Sequence, residues 1–221
     1  MHDANGRVTL PGFYDKVRVL SKEERAELAR IPISDEDWRE MTGTKLPYGE
    51  KGFTTVERIG ARPTLEVNGI LSGFTGEGLK GVLPAKAMAK ISMRLVPEQD
   101  DRAVELQLKE YLGKNAPPTV TWEIKNLGSA TAVLVDRNTP AMRAAASALQ
   151  ATFGVRPLFQ LQGGSNAVVN MVKTRLGVDS VLLGFGLPDD NIHAPNERQH
   201  LPTYIRGIET YIRFFDLVSQ K

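Results

Sequence analysis

The sequence predicts a mixed α/β protein, with an α+β domain followed by part of a doubly wound α/β domain. Between residues 62 and 125 it reads as strand, strand, helix and strand, which is typical of a small sheet with helices on one side. Beyond residue 130, helical patterns alternate with short apolar runs, the order expected of a layered parallel sheet. We place the boundary near 130–136, with domains 1–130 and 131–221.

Two short helices are predicted ahead of the first strand. Ser21 and Glu24 form a capping box that starts one helix, and Ser34 caps a second helix that Gly43 ends. Residues 44–60 are rich in Gly, Thr and Lys, so we predict a loop there.

Three segments of the first domain alternate with period two, as strands with one buried face do. Asp100 starts the helix that lies between the second and third of them, with Val104 and Leu108 on one apolar face. The predicted strands are residues 64–70, 87–95 and 119–125.

In the second domain, the predicted helices are residues 140–153, 166–176 and a final helix capped by Thr203. Residues 158–161 are a candidate strand. The continuous apolar run 181–185 predicts a strand buried on both faces, and a polar loop 186–201 follows it. An apolar stripe is predicted on the final helix, formed by Ile205, Ile208, Ile212 and Phe215.

Composition excludes several classes of protein. The net charge of +2 is too small to indicate a nucleic-acid partner, and no apolar run reaches the roughly 20 residues of a membrane span. The absence of cysteine excludes disulfides and thiolate metal sites, so we expect a cytoplasmic protein. Only three histidines are available as metal ligands.

Two glycine-rich motifs have ordinary explanations. Residues 76–81 spell G-x-G-x-x-G, but a strand follows where a dinucleotide-binding loop needs a helix, so we predict a bend. Residues 163–167 approach the nucleophile elbow of serine hydrolases, with Ser165 as nucleophile and His193 and an aspartate completing a triad on paper. A turn whose backbone N–H groups bind a carboxylate is the favoured interpretation.

The loop after residue 185 is the most informative segment. Ligands of open α/β sheets bind at the carboxyl ends of strands, so His193 in this loop is a candidate metal ligand. Asp189 and Asp190 are candidates either for orienting His193 or for capping a turn. Arg94, at the end of the long strand, is either a solvated charge or a residue that binds a substrate carboxylate through two parallel hydrogen bonds.

Taken together and in order, several segments resemble the carnosinase and aminoacylase family of zinc metallopeptidases. The similar segments are residues 62–70, 76–78, 84–86, 90–97, 163–165 and 189–197.

The resemblance implies a ferredoxin-like lid and dimerisation domain in residues 1–130 and the last part of a catalytic domain in 131–221. It implies that His193 binds one of two zinc ions, and that Arg94, Gly163, Gly164 and Ser165 bind the substrate's carboxylate end. The implied reaction is metal-assisted hydrolysis of small peptides or N-acyl amino acids by a homodimer.

The resemblance also implies that most metal ligands and the general base belong to a half that this chain lacks. Gly81, Gly128, Gln162 and residues 166–167 depart from side chains common in the family. We therefore expect part of a dipeptidase or amidohydrolase that is inactive as this fragment and does not bind zinc tightly alone. The alternatives are a non-catalytic dimerisation or binding module and a serine hydrolase using Ser165.

Overall fold

The computed structural model describes residues 1–163 and 167–220 and contains both helices and strands. The helices are α1 (Lys22–Leu28), α2 (Asp35–Thr42), α3 (Thr55–Ala61), α4 (Asp101–Asn115), α5 (Pro140–Phe153), α6 (Ala167–Leu176) and α7 (Leu201–Ser219). The strands are β1 (Thr64–Ser72) and β2 (Ala87–Arg94). Within the described residues, no helix is both long and apolar enough to cross a membrane.

The chain divides into two compact units, each described by itself. Unit 1 comprises Met1–Val133 and Gln160–Ala167, and unit 2 comprises Leu134–Phe159 and Val168–Lys221.

The helix starts of unit 1 follow the capping signals in the sequence. The Ser21 and Ser34 side chains accept the N3 backbone N–H groups of α1 and α2, and Gly43 ends α2 in the left-handed conformation. The prediction of loop over 44–60 is wrong at its end, because Thr54 and Glu57 form a third capping box and start α3.

β1 and β2 form an antiparallel two-stranded sheet, with an irregularity between Val67 and Gly69. The segment 76–81 lies between the two strands and starts no helix, which confirms the prediction of a bend. The predicted strand 119–125 is wrong, because a strand needs a hydrogen-bonded neighbour and these residues have none. The mixed α/β class is confirmed, whereas the ferredoxin-like lid stays a prediction.

The core of unit 1 includes apolar side chains from the N-terminal segment ahead of α1. Phe13 is 1% exposed and packs with Leu65, Val104 and Leu108. The Gln99 side chain fixes the segment by donating to the Phe13 carbonyl oxygen at 2.8 Å. The segment therefore contributes an apolar layer as well as a connection.

Unit 2 packs α5 against α7 through small side chains. Ala148 and Thr210 are both fully buried. The predicted apolar stripe of α7 lies on another face and is 47% to 65% exposed, and His200, not Thr203, is the N-cap residue. The structure assigns no strand to 158–161 or 181–185, which are described but unpaired, so the doubly wound arrangement also stays a prediction.

Candidate active-site residues

Arg94 is the last residue of β2 and lies opposite Thr64 of β1. Its Nη1 donates a hydrogen bond to the carbonyl oxygen of Gly163 at 2.8 Å. The side chain is exposed, and no carboxylate in the described part of the chain forms an ion pair with it. Since a guanidinium carries five N–H donors, most of them remain available for a bound anion.

The segment that carries Gly163 passes very close to the end of α3. A Cβ on Gly163 would lie 2.4 Å from the Ile59 carbonyl oxygen, and a Cβ on Gly60 would lie 2.1 Å from the Leu161 carbonyl oxygen. Both distances are far below van der Waals contact, so the approach requires glycine at both positions. This close approach places the Gly163 carbonyl oxygen within hydrogen-bonding distance of Arg94.

A buried carboxylate holds the end of α3 in place. Both Glu50 oxygens accept from Arg62, with Nε at 2.7 Å and Nη2 at 2.9 Å, and Arg7 Nη1 lies 3.2 Å away. The Arg58 Nε donates to the Glu50 carbonyl oxygen at 2.9 Å. Glu50 therefore joins its own loop to α3 and to the residue that follows it.

Aromatic rings cover the guanidinium groups of this network. Arg62 lies over the rings of Phe53 and Tyr14, at 4.3 and 5.2 Å from their centroids. Arg25 lies over Phe53 at 5.0 Å and forms an ion pair with the buried Glu57 at 3.4 Å. The sequence analysis missed this network, although the capping box of α3 was a usable local signal.

The predicted carboxylate-binding turn is described only at its first residue. Gly163 contacts Arg94 as given above. Gly164 and Ser165 lie outside the described residues, so their predicted role stays a prediction.

His193 belongs to unit 2, in the loop between residue 185 and α7. Its side chain is exposed, and its φ of 64° is left-handed. The structure records no hydrogen bond from its ring to Asp189 or Asp190, both of which are described residues. Neither aspartate orients the imidazole directly, contrary to one of the two sequence-based interpretations.

One side chain predicted to bind metal, His193, lies within the described residues. The exposed imidazole of His193 is a suitable ligand for zinc. No group of three or more His, Cys, Asp or Glu side chains that could hold a metal ion occurs within residues 1–163 and 167–220. The described residues therefore do not by themselves form a metal site.

The chain is similar to two curated dipeptidases. The Cys-Gly metallodipeptidase of Candida albicans is 30% identical over 201 residues, covering 89% of this chain and 41% of that protein. The human β-Ala-His dipeptidase is 27% identical over 200 residues, covering 89% and 39%.

A solved structure and a family match complete the comparison. The M20 family metallo-carboxypeptidase of Sulfolobus solfataricus has a TM-score of 0.86 and 32% identity, covering 98% of this chain and 49% of that chain. This chain thus spans half or less of the length of these relatives. Residues 22–216 match peptidase family M20/M25/M40, and the chain belongs to that family.

Proposed function

We propose that this chain supplies the carboxylate clamp and one metal ligand of a metal-dependent dipeptidase or related amidohydrolase. The observation that carries the proposal is the Arg94–Gly163 contact, which leaves an exposed guanidinium without a carboxylate partner among the described residues. The substrates would be small peptides or N-acyl amino acids.

The substrates named for the relatives share one chemical feature. Cys-Gly, β-Ala-His and the substrates of a carboxypeptidase all carry a free carboxylate next to the bond that is cleaved. A guanidinium grips such a carboxylate with two parallel hydrogen bonds, which a lysine cannot reproduce. Arg94, with the turn at residues 163–165, would hold this end of the substrate.

His193 would be one ligand of a two-zinc site whose other ligands lie outside this chain. The proposal rests on its exposed position and on the family's metal dependence. Because a single imidazole is a weak site for zinc, the chain alone would neither bind the metal tightly nor hydrolyse peptides.

The exposed apolar surface of unit 2 fits an incomplete catalytic domain. The stripe of α7 would be covered in the complete enzyme, since contiguous apolar surface of this kind marks an interaction site. Residues 131–221 would then form the last part of the catalytic domain, with residues 1–130 as the lid.

A homodimer formed through the lid, in the cytoplasm, completes the proposal. Strands β1 and β2 and the segment that connects them, residues 64–94, expose apolar side chains that an edge-to-edge or face-to-face partner would bury. The most exposed are Ile70 at 77%, Leu83 at 91% and Leu79, which is fully exposed.

A chimera tests the proposal. This chain replaces the matching 49% of the Sulfolobus solfataricus enzyme, and dipeptide hydrolysis is measured with and without added zinc. We expect metal-dependent hydrolysis that His193→Ala abolishes. A folded chimera whose metal binding does not depend on His193 would contradict the ligand assignment.

Arg94 variants of the same chimera test the clamp. We expect Arg94→Ala and Arg94→Lys to raise KM for dipeptides, and to have little effect on a substrate whose carboxylate is amidated. Lys90→Ala is the matched control, because it removes an exposed positive charge from the same strand. Equal effects of Lys90→Ala and Arg94→Ala would refute a specific clamp.

The comparisons do not favour the alternatives. A serine hydrolase would lose all activity on Ser165→Ala and would keep it in the presence of a metal chelator. A non-catalytic module would leave the chimera folded and inactive. The proposed metallopeptidase differs from both alternatives. In it, Ser165→Ala should weaken substrate binding, and a metal chelator should abolish hydrolysis.

A further inference from the structure

The loop that carries His193 contains one buried carboxylate, Asp190, whose bonds connect the two ends of the loop. Asp190 is 1% exposed, and its Oδ2 accepts the Leu187 N–H at 2.7 Å. Its backbone N–H donates to the Leu187 carbonyl oxygen at 3.1 Å, and its own carbonyl oxygen accepts the Arg198 N–H at 2.9 Å. One residue thus ties the start of the loop to its end.

Three residues inside this closure have a left-handed backbone. Asn191, His193 and Asn196 have φ values of 53°, 64° and 61°, a region that is uncommon for residues other than glycine, although asparagine and histidine enter it more readily than most. Such conformations persist only where surrounding bonds determine them. One backbone bond crosses the inside of the loop, from the Ala194 N–H to the Asn191 carbonyl oxygen at 2.9 Å.

The two ends of the loop are joined by the bonds of Asp190, by the exposed Asp189–Arg198 ion pair and by a bond from Gln199 Nε2 to the Phe185 carbonyl oxygen at 3.3 Å. Among these side chains, that of Asp190 is the buried one.

Asp189 and Asp190 are neighbours with different environments. The Asp189 side chain is 68% exposed and pairs with Arg198 at the surface. The Asp190 Oδ1 is buried without a hydrogen-bond partner and lies 4.0 Å from Arg198 Nε. A buried carboxylate needs compensation, which here comes from the Leu187 N–H and the charge of Arg198.

We infer that Asp190 is the positioning residue of His193, and that it acts by fixing the loop backbone instead of the imidazole. Both ring nitrogens of His193 are thereby left free of bonds to the described residues, in a loop that holds its position before any ligand arrives. The use of this arrangement as a metal ligand rests on the proposed function, whereas the positioning itself does not.

The test is NMR spectroscopy on the full chain without metal. With three histidines in the sequence, the ring signal of His193 is assigned by its loss in His193→Ala. For Asp190→Ala we expect amide exchange of Leu187 and Arg198 to accelerate at least about tenfold, as loss of a charged buried hydrogen bond predicts. The His193 ring signal should shift toward that of an unstructured peptide.

Three further variants separate positioning from general stability. Asp190→Asn keeps an acceptor for the Leu187 N–H, so it should restore most of the protection and the native His193 signal. Asp189→Ala removes the neighbouring carboxylate and should leave both unchanged. Where Asp190→Ala does not fold, Leu187→Pro deletes the N–H donor while keeping Asp190, and should accelerate exchange of the Arg198 amide and shift the His193 ring signal in the same direction.

The inference is overturned if Asp190→Ala leaves exchange and the His193 signal unchanged, or if Asp189→Ala has the same effect as Asp190→Ala. It is also overturned if every amide of unit 2 accelerates equally, because Asp190 would then act on stability alone. Zinc is added only after these measurements. If the metal-ligand proposal alone fails, the loop of the unsubstituted chain is ordered as expected, but its His193 signal does not respond to zinc.

Discussion

Replacing Glu50 with alanine would leave a buried guanidinium without its counter-charge. The Glu50 side chain is 5% exposed and that of Arg62 is 10% exposed, and two hydrogen bonds of 2.7 and 2.9 Å join them. Removing one partner of such a pair costs about 3–5 kcal/mol, because the remaining charge stays desolvated.

The second ion pair of Glu50 is worth much less. Arg7 is 47% exposed and lies at 3.2 Å, so solvent screens its contribution to below about 1 kcal/mol. We therefore expect Glu50→Ala to lower the free energy of unfolding of unit 1 by about 3–5 kcal/mol, a large share of the ~5–15 kcal/mol typical of a domain.

Urea unfolding followed by tryptophan fluorescence measures this loss. Trp38 and Trp122 both belong to unit 1, so the signal reports the unit that contains Glu50. The double variant Glu50→Met with Arg62→Met removes both charges at similar volume. It should recover most of the stability, as replacement of buried ion pairs by apolar side chains does.

Two results would refute the reasoning. A loss below about 1 kcal/mol for Glu50→Ala would mean that the pair behaves as a surface ion pair. A double variant that is no more stable than Glu50→Ala would mean that the loss comes from packing and not from the orphaned charge.

Three other changes have defined outcomes. Gly163→Ala would place a Cβ 2.4 Å from a backbone oxygen of α3 and should lower the melting temperature, whereas Gly81→Ala, in open space, should not. Ala148→Leu overfills the α5–α7 contact, since Ala148 is fully buried, and should cost about 1–3 kcal/mol in thermal unfolding followed by circular dichroism. A hydrogen bond from Ser129 holds the pKa of Asp101 below its ordinary value. The ionised Asp101 therefore stabilises the fold at pH values above the usual titration range of a carboxyl group. That stability is lost as the pH falls through the lowered pKa, so Asp101→Asn should flatten the acid limb of the stability–pH curve below about pH 4.

Helix starts were predictable because their signals are local. The residues that cap α1, α2 and α4 bond to N–H groups three positions away, so the sequence contains the whole interaction. The start of α3 carried the same signal in Thr54 and Glu57 and was missed because glycine and lysine around it indicated a loop.

Strands were less predictable because they need a partner. The alternation in 87–95 marked a real strand because β1 pairs with it, whereas residues 119–125 alternate and have no neighbour to pair with. An apolar run such as 181–185 shows only that burial would be favourable. It does not show that this chain provides the covering elements.

The sequence suggested residue types for the candidate site but could not give their contacts. Arg94 and Gly163 are 69 residues apart, and only the folded chain brings them to 2.8 Å. The sequence could not separate Asp189 from Asp190 either. Burial of one and exposure of the other depends on where the loop closes.

Zinc binding by the 221-residue chain, measured by calorimetry with His193→Ala as the control, tests the central claim most directly. The account predicts no tight binding, and at most a weak signal that His193→Ala removes, because this chain supplies one ligand of a site completed elsewhere. Tight binding would contradict it, whether or not His193→Ala abolished that binding, because the chain would then contain a full ligand set of its own.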